Sequence, residues 1–563
     1  MFIFLATIVM LPNLVWLWVG HGTDVWVCGL VIPSILLIVF FAILGNRLWL
    51  ASLLLAPFAA LAPLEAFYID KYLRPTSAEI LATLVATNPR EAREYLGAAI
   101  WMLLLYVLAG FLLAMLVAWR SWQSRLRWNH RSRVWVVTGA ILLPPIFFGT
   151  AVFTSSGNTS ARATDGIHSL VSLTDSIEPG YPFGLFSRIA QYHQQWQKMR
   201  MGAARLDAFR FKAYRVAAIR RRQVYVFVLG ESSRRDHWQL FGYGRPTNPQ
   251  LLKLNNLVTI PDLVTSWPES INAIPLILTR KPITTSSPIW KEASILRAMW
   301  EAGFDTYWIS NQLAIGKFDS PVSTYAYEAK HVQFLNHASY SDPGSRDEVL
   351  LKPLMDALRD SPNDLFVVLH MMGSHTDYDY RYPSSFEHFR PTQTDPGRED
   401  SRQERTRNSY DNTILYTDHV LAQIIDTLRG TDAVSALFFE SDHGESLPSQ
   451  TCSLGGHGNG TRYEYQVPAL FWYSEAYDKT FPGRVAILRA NSDKKVLNGD
   501  TFESLIDMAG INFPGHDESR SLFSPQWTYR PRIVNSPWQA NIDSAEFSNR
   551  CEFVMPPGNK STR

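Results

Sequence analysis

Five apolar stretches crowd the first 155 positions of this 563-residue chain: roughly Phe2–Val19, Val25–Leu44, Leu48–Tyr68, Leu96–Trp119 and Val134–Phe153. Each comes close to the ~20 residues a helix needs to cross ~30 Å of hydrocarbon without leaving backbone groups unpaired. One such stretch can be a buried helix of a soluble core. Five in series predict a helical membrane domain over residues 1–153. The first is not a secretory leader, because Met1–Leu5 carries no basic residue.

The loops give the orientation. Between the fourth and fifth stretches stand Arg120, Arg125, Arg127, Arg131 and Arg133 with no acid, and Arg47 lies between the second and third. Positive loops stay in the cytoplasm. The longer link Asp70–Tyr95 balances its basic residues against acids and is expected outside. Five crossings that start inside then deliver everything after Phe153 to the outer side. Residues 154–221 read as a linker and bridge: Thr154–Asp165 is rich in Ser, Thr and Gly. Ser187–Arg215 mixes Trp196, Phe209, Phe211 and Tyr214 with Lys198, Arg200, Arg205, Arg210 and Lys212, which suits either a helix on an anionic membrane surface or a solvated helix.

A formal net charge of +2 gives no bulk basicity of the kind that binds nucleic acid. Three cysteines are too few for a disulfide framework; Cys452 and Cys551 could pair in an oxidising compartment, but their spacing carries no geometry.

From Arg222 the pattern changes to short apolar runs between longer mixed segments. Val224–Leu229, Leu365–Leu369 and Val434–Phe439 read as strands buried on both faces, as in a parallel sheet. Ser294–Ala302, Asp347–Arg359 and Thr413–Leu428 have helical spacing. The expected architecture is therefore a five-span α-helical membrane domain followed by a soluble α/β domain, residues 222–563, with a mainly parallel sheet.

Ligands of open α/β sheets bind beyond the carboxyl ends of the strands. The three strands run into Glu231, into Met371-Met372-Gly373-Ser374-His375, and into Asp442-His443-Gly444-Glu445, which would gather Glu231, His375, Asp442 and His443 at one edge. Acids and histidines also cap turns, and a salt-bridged histidine is the bland alternative. Carboxylate oxygen with imidazole nitrogen suits Zn2+, with a coordination position left for a reacting group.

Four blocks stand in order behind the apolar stretches: GESSRRDHWQLFGYGRPTNPQL (Gly230–Leu251), HMMGSH (His370–His375), NSYDNTILYTD (Asn408–Asp418) and SDHGES (Ser441–Ser446). They resemble the phosphoethanolamine transferases of Gram-negative envelopes, in the sulfatase-like branch of the alkaline phosphatase superfamily. The resemblance implies a hydroxyl nucleophile, normally Thr, bound to zinc beside Glu231, Asp442 and His443. In LVTSWPESINAIPLIL (Leu263–Leu278) the family register, five residues before a proline, selects Ser270 ahead of Pro275, with Thr265 and Ser266 as competitors. His375 and His457, the latter in LGGHGNG, match histidines that contact the transferred phosphate. Thr83, Thr87 and Glu91, spaced along one helix face, match the side that meets the lipid head group, and Asn311, Gln312 and Lys317 match a substrate-side loop more loosely.

The activity so implied is a two-step exchange at the periplasmic face of a bacterial inner membrane. Phosphatidylethanolamine is the donor; lipid A, lipopolysaccharide core or another glycan is the acceptor. Three cysteines do not supply the disulfides of the best-known members that modify lipid A. A phosphoglycerol transferase of the lipoteichoic acid synthase type, drawing on phosphatidylglycerol, is the competing enzyme reading; a membrane-tethered glycan-binding scaffold is the non-enzymatic one.

Overall fold

The structure, a computed structural model, describes residues 1–19, 23–72, 74–78, 80–81, 99–142, 176–285, 287–316, 319–336, 338, 343–395, 402–535, 539–548 and 550–557. It divides into two compact units, Met1–Gln194 and Gln195–Arg563, and the helix Gly184–Asp207 carries the division.

The first unit is helical. Among the described residues two helices, Gly45–Asp70 and Ile100–Gln123, are long and apolar enough to cross a membrane. The expected first span is a pair, Phe2–Val9 and Leu11–Val19, bent by 51°; counted as one span it makes three. Pro12 explains the break, since it has no N–H to continue the first helix but fits the first turn of the second. Asn13 then fixes the bend, donating to the Tyr181 carbonyl at 2.6 Å and accepting from the Tyr181 N–H at 2.9 Å. The expected second span contains a π-helical stretch, Val27–Val31, ahead of Pro33, and its apolar helix Val27–Ile43 is shorter than a full span. Of the expected fifth span the described part is Ser132–Leu142, and the remainder lies outside the described residues. A count of five crossings is thus not what the described helices give.

Within this unit a buried ion pair ties the helix Leu48–Tyr72 to the segment after it. Arg188 Nη1 lies 2.7 Å from Glu65 Oε1 and 2.8 Å from the Thr76 carbonyl, while the Thr76 hydroxyl donates to Glu65 Oε2 at 2.8 Å. Charges in such a setting persist only when paired.

The second unit is built on an eight-stranded sheet. In chain order its strands are β1 (Gln223–Gly230), β2 (Leu257–Val264), β3 (Asp305–Ser310), β4 (His331–Phe334), β5 (Leu365–His370), β6 (Val434–Ser441), β7 (Gln466–Tyr473) and β8 (Val496–Leu497). Across the sheet they run β4-β3-β5-β1-β6-β7-β2-β8. Its larger part, β4-β3-β5-β1-β6, is parallel throughout, and β7 pairs antiparallel with both of its neighbours, so the sheet is mainly parallel as expected. Every residue of β1, β5 and β6 is buried, because helices and loops cover both faces with separate apolar cores.

Strand register brings three chain segments to one level. Leu229 of β1 pairs with His370 of β5, and Gly230 pairs with Ser441 of β6, so the three central strands end side by side.

The helix expected over Ser187–Arg215, on a membrane surface or in solvent, has other limits. The helix ends at Asp207, and Phe211 is buried in the second unit against Phe502 and Phe513. Glu301 accepts the backbone N–H groups of Phe211 and Ala213, which locks that segment to the core. The two phenylalanines at 209 and 211 pack on the protein core.

Candidate metal and nucleophile site

Three strand ends and one helix start meet at the carboxyl edge of the sheet. Glu231 follows β1, and Asp442 and His443 follow β6; all three are buried. Ser270 is the first residue of the helix Ser270–Leu278, with Glu269 in extended conformation as its cap. Its hydroxyl lies 3.2 Å from Glu231 Oε2 and 3.1 Å from His443 Nε2. Of the competing hydroxyls, Thr265 is held by Asn498 and Ser266 is buried, and neither lines the cavity at this edge.

The site is braced from below. Gly373, at φ +53°, lets the turn after β5 fold under Glu231, where a Cβ would lie 2.6 Å from the Glu231 carbonyl; Ser374 N–H donates to that carbonyl at 3.0 Å. Gln312 Nε2 donates to Glu231 Oε2 at 3.0 Å and to the Met371 carbonyl at 2.8 Å. Asp442 Oδ1 accepts the N–H groups of Ser232 and His443, whereas among the described residues its buried Oδ2 has no hydrogen bond of ordinary geometry.

His443 shows what belongs between these groups. Its Nδ1–H donates to the Gly444 carbonyl at 2.8 Å, which leaves Nε2 as the lone-pair nitrogen of a neutral ring. That lone pair faces Glu231 Oε1 at 3.4 Å and Asp442 Oδ2 at 3.5 Å. Three electron-rich atoms pointed at one another repel unless a cation lies among them. Ligand atoms of Glu231, Asp442 and His443 all lie within 4.8 Å of one another, so this oxygen-and-nitrogen set fits a divalent metal. A second cluster, His443, Glu445 and His457, is equally tight, but its carboxylate is already engaged by the Tyr378 hydroxyl and by His457.

Burial and mutual repulsion shift the charges of these groups apart. Burial pushes both carboxyls upward, but His443, His375 and His457 bring Glu231 down to about 2, while burial and the charge of Glu231 leave Asp442 well above the carboxylate range. Burial lowers His375 and His443. His457 goes the other way: burial would lower it, but the hydrogen bond and charge of Glu445 raise it to about 9.

His375 and His457 both line the cavity, about 560 Å3 in volume, that opens over Ser270, and their rings stand 6.1 Å apart. His457 is also 4.4 Å, ring to ring, from His443. It sits on the glycine-rich loop, whose Gly456 and Gly458 have φ near +80°, and a Cβ at Gly458 would press on the Glu269 carboxylate at 3.3 Å. Asn311 is placed elsewhere. It is fully buried, donating to Asp347 and Ser345, and the neighbouring Gln312 is the residue that reaches the cavity. Thr83, Thr87, Glu91 and Lys317 lie outside the described residues. Glu445 joins the site through His457, a role that strand ends and motif register do not assign to it; a carboxylate two residues beyond a candidate ligand, inside SDHGES, is the signal the sequence offers.

Known proteins resemble both the leading region and the α/β unit of this chain. A family model described as sulfatase matches residues 223–511, and one described as phosphoethanolamine transferase EptA/EptB matches residues 34–164. Phosphoethanolamine transferase EptC of Escherichia coli O18:K1:H7 is 28% identical over 511 residues, covering 89% of this chain and 85% of its own. Among solved structures, the C-terminal periplasmic domain of EcEptC from Escherichia coli superimposes with a TM-score of 0.54 at 26% identity, covering 60% of this chain and 98% of that domain. The same domain in complex with Zn gives 0.54 at 25% identity, covering 61% and 98%.

Proposed function

For a chain that belongs to the phosphoethanolamine transferase family, in the sulfatase-like branch of the alkaline phosphatase superfamily, we propose zinc-dependent transfer of phosphoethanolamine through an ester on Ser270. The donor is phosphatidylethanolamine, and the acceptor is a lipopolysaccharide, at its core or lipid A, or another envelope glycan. The observation that carries this reading is the Ser270 hydroxyl within 3.2 Å of both Glu231 and His443, at the start of a helix and at the mouth of the cavity.

Zinc held by Glu231, Asp442 and His443 would supply Lewis-acid chemistry, lowering the pKa of a bound hydroxyl. Ser270 Oγ sheds its proton to solvent and attacks phosphorus, the bond from phosphorus to the glyceride oxygen breaks, and diacylglycerol leaves with a proton taken up at that oxygen. A hydroxyl or phosphate oxygen of the acceptor then attacks the same phosphorus and releases Ser270. Ser270 stands at the positive end of its helix, which favours developing negative charge on the phosphoryl oxygens. His457, held positive by Glu445, adds charge to the same cavity and supplies the proton that the leaving oxygen needs. His375 lines the same cavity.

Thr83, Thr87 and Glu91 we assign to the lipid head group, and Lys317 to the substrate side. In the same reading the chain crosses the bacterial inner membrane five times, its N-terminus in the cytoplasm and residues 222–563 in the periplasm. The all-basic link Arg120–Arg133 supports that orientation, and so does the bond between Cys452 and Cys551, which belongs in an oxidising compartment.

The test is full-length protein in detergent with fluorescent phosphatidylethanolamine. We expect labelled diacylglycerol to be released, zinc to co-purify, and peptide mass spectrometry of quenched enzyme to find phosphoethanolamine on Ser270. Turnover by metal-free protein, or a covalent adduct on another side chain, overturns the reading; a phosphoglycerol adduct would mean a different donor.

A further inference from the structure

We propose that the second unit carries another binding site, centred on Lys281, for a phosphate- or carboxylate-bearing sugar. Lys281 lies just beyond the helix that begins at Ser270, and it lines a cavity of about 610 Å3 together with Lys495, Arg520, Arg530, Asp500 and Asp517.

Most of that charge is already matched. Arg520 Nε donates to Asp500 Oδ1 at 3.1 Å, and Arg530 Nη2 donates to Asp517 Oδ2 at 3.1 Å. Lys495 Nζ lies 3.0 Å from Asp543 Oδ1. Lys281 is different: it is 2% exposed, and among the described residues its buried Nζ has no hydrogen-bond partner. A buried cation without a partner is among the costlier arrangements in a fold and calls for an anion. Burial alone brings this ammonium down to about 8, so it is largely charged at neutral pH, and a small turn of its side chain toward the cavity would let it meet one.

Size and lining narrow the class of ligand. The cavity falls within the ~300–1,000 Å3 of small-molecule sites, more than a bare phosphate fills. Leu497 and Ile533 give it an apolar wall of the kind that packs against the C–H face of a sugar ring, and the arginine–aspartate pairs leave polar edges for hydroxyls. The site also borders the catalytic machinery. Leu497 pairs with Val264, and Asn498 donates to Thr265 Oγ1 and accepts from Ser266 N–H, so the wall of this cavity braces the segment that leads into Ser270. An acidic sugar held here belongs to the acceptor if the transfer reading holds; as an anion site it does not depend on that reading.

Metal-stripped, full-length protein in detergent separates the two sites, because the catalytic cluster then offers no metal to an anion. Calorimetric titration with glucose 6-phosphate, glucuronate and inorganic phosphate should show one binding event. Lys281→Met, and Lys281→Gln as a second neutral variant, should weaken it about tenfold or more. Both variants should melt without ligand at or above the wild-type temperature, since an uncompensated buried charge has gone. Preference for the sugar acids over inorganic phosphate supports the proposal, and equal affinity for all three overturns its sugar class. Binding unchanged in both variants, or absent from metal-free wild type, overturns the proposal and leaves the transfer reading untouched.

Discussion

His443 donates its Nδ1–H to its neighbour's carbonyl, at Gly444, and thereby turns its other nitrogen toward the Ser270 hydroxyl, 3.1 Å away. One backbone hydrogen bond sets the tautomer, and the tautomer sets what the site can hold.

Ser270→Ala should abolish transfer, by about 10³-fold or more, with melting temperature unchanged, because a partly exposed hydroxyl carries little of the fold. Ser270→Thr should keep measurable activity, since it retains the oxygen. Release of labelled diacylglycerol alongside a thermal melt reads both; an active alanine variant would move the nucleophile elsewhere.

Gln312→Leu should weaken the metal without touching a ligand. Its amide holds Glu231 Oε2 and the Met371 carbonyl in place, and loss of such an outer contact costs about 10–100-fold in metal affinity or activity. Competition with a zinc chelator measures it. Wild-type affinity in the variant would mean that Glu231 is positioned by the backbone alone.

His516 should make stability fall as pH rises through the weakly alkaline range. Its Nδ1 and Nε2 donate to Glu503 and Asp507 at 2.6 and 2.9 Å; burial would lower its pKa, but these bonds raise it to about 10. The imidazolium's contribution is therefore complete below about 6.5, the ordinary histidine value, and is lost as pH climbs toward 10. His516→Gln should cost about 3 kcal/mol at pH 6 and progressively less toward pH 10. Thermal melts of both proteins across that range test it: a pH-independent difference would contradict the charged pairing.

Reduction of Cys452–Cys551 should destabilise the second unit. The bond spans 99 residues, and a cross-link of that reach constrains the unfolded chain by roughly 3–5 kcal/mol. Cys452 also lies in the loop closed by the Ser446–Gly456 pairing, and Gly456 directly precedes His457. The double Cys→Ser variant should melt lower and lose kcat more than donor KM. Melting curves that are the same with and without reductant would show the bond to be idle.

Much of the site was legible because strands buried on both faces betray themselves as unbroken apolar runs, and their next residues are fixed in place by chain connectivity. Val224–Leu229 and Val434–Phe439 are of this kind, and Glu231, Asp442 and His443 came directly after them. Helix limits were harder. The helix Arg402–Arg429 begins well before the periodic stretch at Thr413, because its first buried turns are polar: Asn408, Asp411 and Asn412 bond the Pro391 carbonyl, Arg245 and the Phe389 carbonyl. Hydrophobic spacing cannot reveal a face that is buried by hydrogen bonds.

The amino-acid sequence by itself determined the apolar leading region, the α/β unit behind it and the chemical kinds of group at one sheet edge, since burial and connectivity act locally along the chain. Tertiary structure alone decided that Ser270, 39 positions from Glu231, meets it and His443. It decided equally that Asn311 turns away while Gln312 turns in, that Cys452 finds Cys551, and that the Lys281 ammonium is buried without a hydrogen bond among the described residues. Each of these depends on distances between segments far apart in the chain, and those distances are set by strand register and loop packing, which no local pattern encodes.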